Sequence, residues 1–179
     1  MQRPHETASA HSVAWLDHLA DDQAIPVLRT CCAADAWVQA VLRQRPYGYL
    51  EPLLDAAEAA VLALDGDALA QALAAHARIG EPRYGSDRES EWSRSEQAAA
   101  LDADGDLSAL LAEGNRAYEE RFGQVFLIRA AGRSAEEMYD ALRSRLANDE
   151  TTERSVARTE LAEIVRLRLA GLVAQGVVQ

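Results

Sequence analysis

Lysine is absent from this chain of 179 residues, and all 18 basic residues are arginine. Without a side-chain amine, no Schiff base can form with a carbonyl substrate and pyridoxal phosphate has no covalent anchor. Positive charge is also scarce relative to negative, 18 cations against 29 carboxylates, for a net charge of -11. A polyanionic backbone binds to clustered cations, so no nucleic-acid partner is expected. There are only two cysteines, Cys31 and Cys32, and they are adjacent. They cannot staple a scaffold, and they suit a reducing compartment, here the cytoplasm. Four histidines without any Cys-x-x-Cys spacing give no recognisable zinc centre, so neither a metal nor another cofactor is expected. No apolar run approaches the roughly 20 residues of a membrane span, and the N-terminal MQRPHETASAHS has no signal-peptide apolar core.

What is present is alanine, leucine and helical periodicity. A length of 179 residues suits one domain able to bury a core without staples. Residues 1–10 are polar and unpatterned and are expected to fray, residues 11–175 to form the domain, and 176–179 to trail as a tail. Apolar residues recurring at three- and four-residue intervals predict an all-α, single-domain bundle of about eight to nine helices. Helices are expected over Ser12–Leu19, Ile25–Cys32, from Asp35 to before Pro46, Tyr49–Leu64, after Asp65-Gly66-Asp67, from Ser93, Leu107–Phe122, after Ser134, and Thr152–Ala174. Two stretches break the pattern. His76–Trp92 (HARIGEPRYGSDRESEW) reads as an irregular connection, and connections beyond about 12–15 residues are usually functional or disordered. Gln124–Ala130 (QVFLIRA) is a short apolar run, read either as a weak strand or as a buried connector.

Three ordinary residue types sit in unusual places. His76 follows Leu69, Ala72 and Leu73 on one helical stripe, which fits either a satisfied core histidine or an acid at the mouth of a cleft. The carbonyl end of a helix favours imidazolium there. Ser93-Arg94-Ser95-Glu96 has the form of a capping box, as does Ser134-Ala135-Glu136-Glu137. The first of these is followed by Gln97, and a helix start with free amides would also seat a carboxylate or carbonyl. Arg168 falls on the apolar stripe of Leu161, Ile164, Val165 and Leu172, whereas Arg166 faces the other side. A buried guanidinium needs an anion, supplied either by a glutamate of a neighbouring helix or by a ligand. Trp15, Trp37, Tyr118 and Phe122 read as core, and the two cysteines as small buried residues.

In order along the chain, LRTCCAADAWVQAVLRQRPYG, HARIG, SRSEQAA, NRAYEERFGQVFLIRAAGRSAEEM, RLANDETTE and ELAEIVRLRL resemble the 2-oxo-4-hydroxy-4-carboxy-5-ureidoimidazoline (OHCU) decarboxylases, over about residues 13–172. The resemblance implies an all-helical, cofactor-free enzyme that makes (S)-allantoin in the last step of urate degradation, acting on a small ureidoimidazoline and expected as a homodimer. It places the catalytic histidine at His76, with Glu96 and Arg168 as its catalytic companions. It places substrate contacts at Ala77, Ser93, Arg94, Ser95, Glu96 and Gln97, and main-chain contacts at Phe126, Leu127, Ile128, Arg129 and Ala130. One departure is that the family's HPxxG is His76-Ala77 here, which frees φ after the histidine and restores an amide donor. Two other readings stay open: a helical interaction module, which would leave these residues scattered, and an acid/base isomerase or hydrolase of a related ureide.

Overall fold

The computed structural model describes residues 12–81 and 87–175. The stretches expected to fray at 1–10 and to trail at 176–179, with the middle of the 76–92 connection, lie outside the described residues. Within them the chain is all-α, with no strand and a single isolated bridge between Ser12 and Tyr49. Ten helices are described against eight to nine expected: α1 (Ala14–His18), α2 (Asp21–Cys31), α3 (Asp35–Arg43), α4 (Leu50–Leu62), α5 (Gly66–Ala74), α6 (Arg88–Glu96), α7 (Ala98–Leu101), α8 (Gly105–Phe122), α9 (Ala135–Arg145) and α10 (Glu150–Ala174). The additional element is α7, a single turn split from α6 at Gln97.

Side-chain caps open five of the ten described helices. Asp65, Asp104, Ser134 and Asp149 each accept a hydrogen bond from a backbone amide of the turn they open, which satisfies a donor the helix cannot use itself. At Ser134 the full capping box forms. Two expectations need correcting. Helix α2 begins four residues earlier than expected, so Pro26 lies inside it. The carbonyl left without its amide partner belongs to Asp22, an exposed residue of the first turn, where water can satisfy it. The helix expected to start at Ser93 in fact starts at Arg88, with Asp87 as the cap and the Ser90 amide as its donor. Ser93 is therefore in the second half of α6. No apolar stripe marks α6, because its buried face is Ser90 and Ser93, continued by Gln97 at its end.

The buried side chains fall into two clusters. The larger is built by α1 to α5 and α10 around Trp37, Leu28, Leu53 and Leu161. Helix α10 lies along α4, and α3 packs on α4 as well. The smaller cluster joins α7, α8 and α9 through Leu111, Tyr118, Met138 and Leu142. The strap at 125–130 runs between them without secondary structure. Leu127 belongs to the larger cluster and Phe126, Ile128 and Ala130 to the smaller. That alternation is the period of an extended chain, so the 124–130 run is a buried connector that seals both cores.

Candidate active site

A cleft opens where the two clusters meet. It is narrow, about 570 Å³ counting the open solvent at its mouth. Its walls are contributed by the end of α2, the turn after α5, one face of α6, the strap and α10.

His76 stands two residues past the end of α5. Its Nδ1 lies 2.9 Å from the carbonyl oxygen of Ala72. A carbonyl only accepts, so Nδ1 carries the hydrogen and the tautomer is set. The histidine thereby caps a terminal carbonyl of α5, and the reactive nitrogen is Nε2, which is shielded from solvent. The turn that follows is fastened from two sides: Asn115 donates to the Ile79 carbonyl at 2.8 Å, and the Gly80 amide donates to Gln97 Oε1 at 3.1 Å. Gly80 has φ +82°, a left-handed conformation that a side chain would strain.

Helix α6 presents Glu89, Ser93 and Glu96 to the cleft, residues spaced so that they share one helical face. Gln97 ends the helix and is buried. It donates to Ser93 Oγ at 3.0 Å while accepting from Gly80, which leaves one amide hydrogen and one lone pair of its carboxamide for other partners. From α10, Arg168 meets Glu96 in a bidentate pair, Nε to Oε1 at 2.9 Å and Nη2 to Oε2 at 2.8 Å. Burial alone would disfavour the charge of Arg168, but hydrogen bonding and attraction by Glu96 more than offset this and hold its pKa above the ordinary value. The indole of Trp92 covers the guanidinium at 5.9 Å. The partner asked for by an arginine on an apolar stripe is thus a glutamate of a neighbouring helix, and the pair itself lines the cleft.

Ala77, Phe126, Leu127, Ile128 and Ala130 complete the expected residues that line the cleft. Arg94, Ser95 and Arg129 are not among the lining residues. Ser95 is exposed on the outer side of α6. The Arg129 side chain turns to Glu163, whose Oε2 lies 2.7 Å from Nε in an ion pair without hydrogen-bond alignment. Sequence reasoning missed Arg29, Thr30, Glu89 and Ile164 in the lining. Arg29 and Thr30 flank the inward-facing Leu28 and Cys31 at the end of α2, a position that an alternation of buried and half-buried residues signals only weakly. Cys32 also lines the cleft. Burial pushes its thiol up to about 11 and that of Cys31 to about 12, so both are neutral thiols at pH 7 and poor nucleophiles. Among the described residues no cluster of three or more histidine, cysteine or carboxylate side chains is arranged to hold a metal, and no helix is long and apolar enough to cross a membrane.

Comparison with known proteins agrees with this architecture. The chain is 32% identical over 149 residues to the uric acid degradation bifunctional protein TTL of Arabidopsis thaliana, covering 80% of this chain and 45% of that protein. It is 29% identical over 135 residues to the uric acid degradation bifunctional protein PucL of Bacillus subtilis, covering 73% of this chain and 26% of that one. The chain thus matches less than half the length of these curated relatives. A crystal structure of OHCU decarboxylase in the presence of (S)-allantoin superposes with TM-score 0.71 at 24% identity, over 87% of this chain and 99% of that one. A structure of (S)-allantoin synthase superposes with TM-score 0.66 at 16% identity, over 89% and 53%. At such identities the superpositions speak for a shared fold. The family model for OHCU decarboxylase matches residues 17–170, and the chain belongs to the OHCU decarboxylase family.

Proposed function

We propose that this chain decarboxylates 2-oxo-4-hydroxy-4-carboxy-5-ureidoimidazoline to (S)-allantoin, as the last step of urate degradation. The observation that carries this reading is the meeting of His76, Glu96, Gln97 and Arg168, drawn from three separate parts of the sequence, in one cleft. Membership of the family supplies the substrate class, and the geometry supports a role for each group.

The carbon–carbon bond to the carboxylate breaks, carbon dioxide leaves, and the electron pair stays on a ring carbon conjugated with carbonyl and nitrogen groups. The substrate is therefore its own electron sink. The protein supplies orientation and one proton on one face. His76 donates that proton from Nε2 as imidazolium, is left neutral, and regains a proton from solvent. The Ala72 carbonyl holds Nδ1, which assigns the transfer to Nε2. General acid catalysis of this kind contributes about 10²–10⁴-fold. Glu96, held by Arg168, accepts a hydrogen bond from the substrate hydroxyl. The free amide hydrogen and lone pair of Gln97 match a ureido group. Phe126, Ile128 and Ile79, all buried, keep water away from the carbanion. The buried free thiols of Cys31 and Cys32 suit a reducing compartment and support placing the enzyme in the cytoplasm.

The test is to add protein, treated exhaustively with chelator, to freshly generated urate-oxidation product and follow circular dichroism. Rapid growth of the (S)-allantoin signal is expected. Racemic product at the spontaneous rate would refute the proposal, and activity regained only on adding zinc would refute its metal-free chemistry.

A further inference from the structure

The strap at 125–130 is held by a set of charged residues that do not line the cleft. Arg145, at the end of α9, is 7% exposed and donates through Nη1 to the Leu127 carbonyl at 2.6 Å, with its guanidinium 4.6 Å from the Phe126 ring. Arg145 is held in turn by Glu153, which is 1% exposed and also bonded by the Tyr118 hydroxyl and by Asn148. Two residues along the strap, the Arg129 amide donates to Glu160 Oε2 at 2.7 Å, and Arg133 reaches the other oxygen of that carboxylate.

In an extended run, main-chain groups two residues apart share an edge. Fastening the Leu127 carbonyl and the Arg129 amide from one edge leaves the Ile128 amide and carbonyl on the other. Ile128 lines the cleft. Both anchors trace back to α10, which also carries Ile164 and Arg168 in the cleft wall. Glu153 and Arg168 are fifteen positions apart, about 22 Å along the axis at 1.5 Å per residue.

We propose that Glu160, together with Arg145 held by Glu153, acts as a positioning set that registers the strap's backbone against Arg168, so that the Ile128 main chain orients the bound ring for protonation on one face. This rests on the decarboxylase reading above. The helix serves as a ruler: one rigid element fixes both the guanidinium of the site and the main-chain groups opposite it. A loose strap would let the ring rock and expose its other face to solvent protons, so loosening it at Glu160 acts on affinity and handedness rather than on folding.

The test compares Glu160→Ala with Glu160→Gln, since the glutamine carbonyl can still accept from the Arg129 amide. In Glu160→Ala, KM is expected to rise roughly tenfold, as loss of a charge-assisted bond and a displaced contact imply. The enantiomeric excess of (S)-allantoin should fall, with the thermal melt close to wild type. Glu160→Gln should keep KM within about threefold of wild type and keep the handedness. Hydrogen exchange at the Arg129 amide supplies a readout that needs no turnover, faster in Glu160→Ala and protected in Glu160→Gln. Unchanged KM and handedness in Glu160→Ala would overturn the inference, as would a loss of folded protein alone with both parameters intact, or equal amide protection in all three proteins. A wild-type protein that makes no one-handed allantoin would defeat the decarboxylase reading, and with it the assignment of the strap to that reaction, while exchange still reports whether the Glu160 anchor exists.

Discussion

Two of the arginine–glutamate pairs that tie α10 to its neighbours, Arg145–Glu153 and Arg168–Glu96, have different surroundings. Arg145 and Glu153 have side chains 8% and 1% exposed, whereas Arg168 and Glu96 are 9% and 23% exposed. Glu153 is saturated by Arg145, the Tyr118 hydroxyl and Asn148, and Arg145 spends a further donor on the Leu127 carbonyl. Glu96 has Arg168 and a face on the cleft. A network that engages both carboxylate oxygens away from the cleft has its worth in fixing backbone. A pair with an open side keeps a carboxylate charged and aimed while leaving it able to bind. The same two residue types thus become scaffold in one place and chemistry in the other, according to how many of their valences the fold consumes.

That contrast can be broken experimentally. The largest expected effect is on turnover: Arg168→Met, which keeps bulk and removes the charge, should lower kcat/KM by ~10²-fold, since a freed Glu96 moves by an ångström or so. The melt should shift little, because partly exposed Glu96 can turn to water. Steady-state kinetics beside a melting curve read both, and a collapse in Tm with normal activity in the folded fraction would reverse the assignment. Glu153→Ala should act first on stability. It strands a buried guanidinium, which costs about 3–5 kcal/mol, or a Tm lower by roughly 6–20 °C at about 2–4 °C per kcal/mol. Calorimetry checks this, and a Tm within about 2 °C of wild type would show that the closed network is not scaffold. The smallest effect is Gly114→Ala on α8, where the new Cβ would sit 2.5 Å from Leu142 Cδ2. Overpacking of about 1–3 kcal/mol, partly offset by the helix preference of alanine over glycine, about 1 kcal/mol, leaves a net loss near ~1 kcal/mol measurable by urea unfolding. A gain in stability would mean that the smaller cluster yields more easily than its packing implies.

The all-α architecture was legible because its apolar residues repeat with the helical period and its caps are chemically distinct, as at Asp65 and Ser134. Helix α6 was legible only in part. Its buried face is serine followed by glutamine, so hydrophobic periodicity had nothing to register, and the Ser93 capping signature masked the real cap at Asp87. In the site, Arg168 announced itself as a charge on an apolar stripe, and Glu96 and Gln97 came with the family resemblance. Arg145 carried no such mark, because in ALRSRLA it resembles any solvated arginine at the end of a helix. Glu160 lies beside the buried Leu161 and looks equally ordinary. Their importance comes from contacts 18 and 31 residues away in sequence, which no local pattern encodes. Arg29, Thr30 and Glu89 escaped notice for the same reason, as flanks of buried stripes brought to the cleft by helix packing.

The measurement closest to the central claim sets His76→Asn beside the wild-type protein, both verified as folded by far-ultraviolet circular dichroism, with freshly generated urate-oxidation product as substrate. The wild-type protein should yield one-handed allantoin rapidly. The variant, without an imidazolium to deliver the proton, should be slower by about 10²–10⁴-fold, leaving the racemate of spontaneous decay. One-handed product formed by His76→Asn at the wild-type rate would remove the histidine from the chemistry and contradict the account.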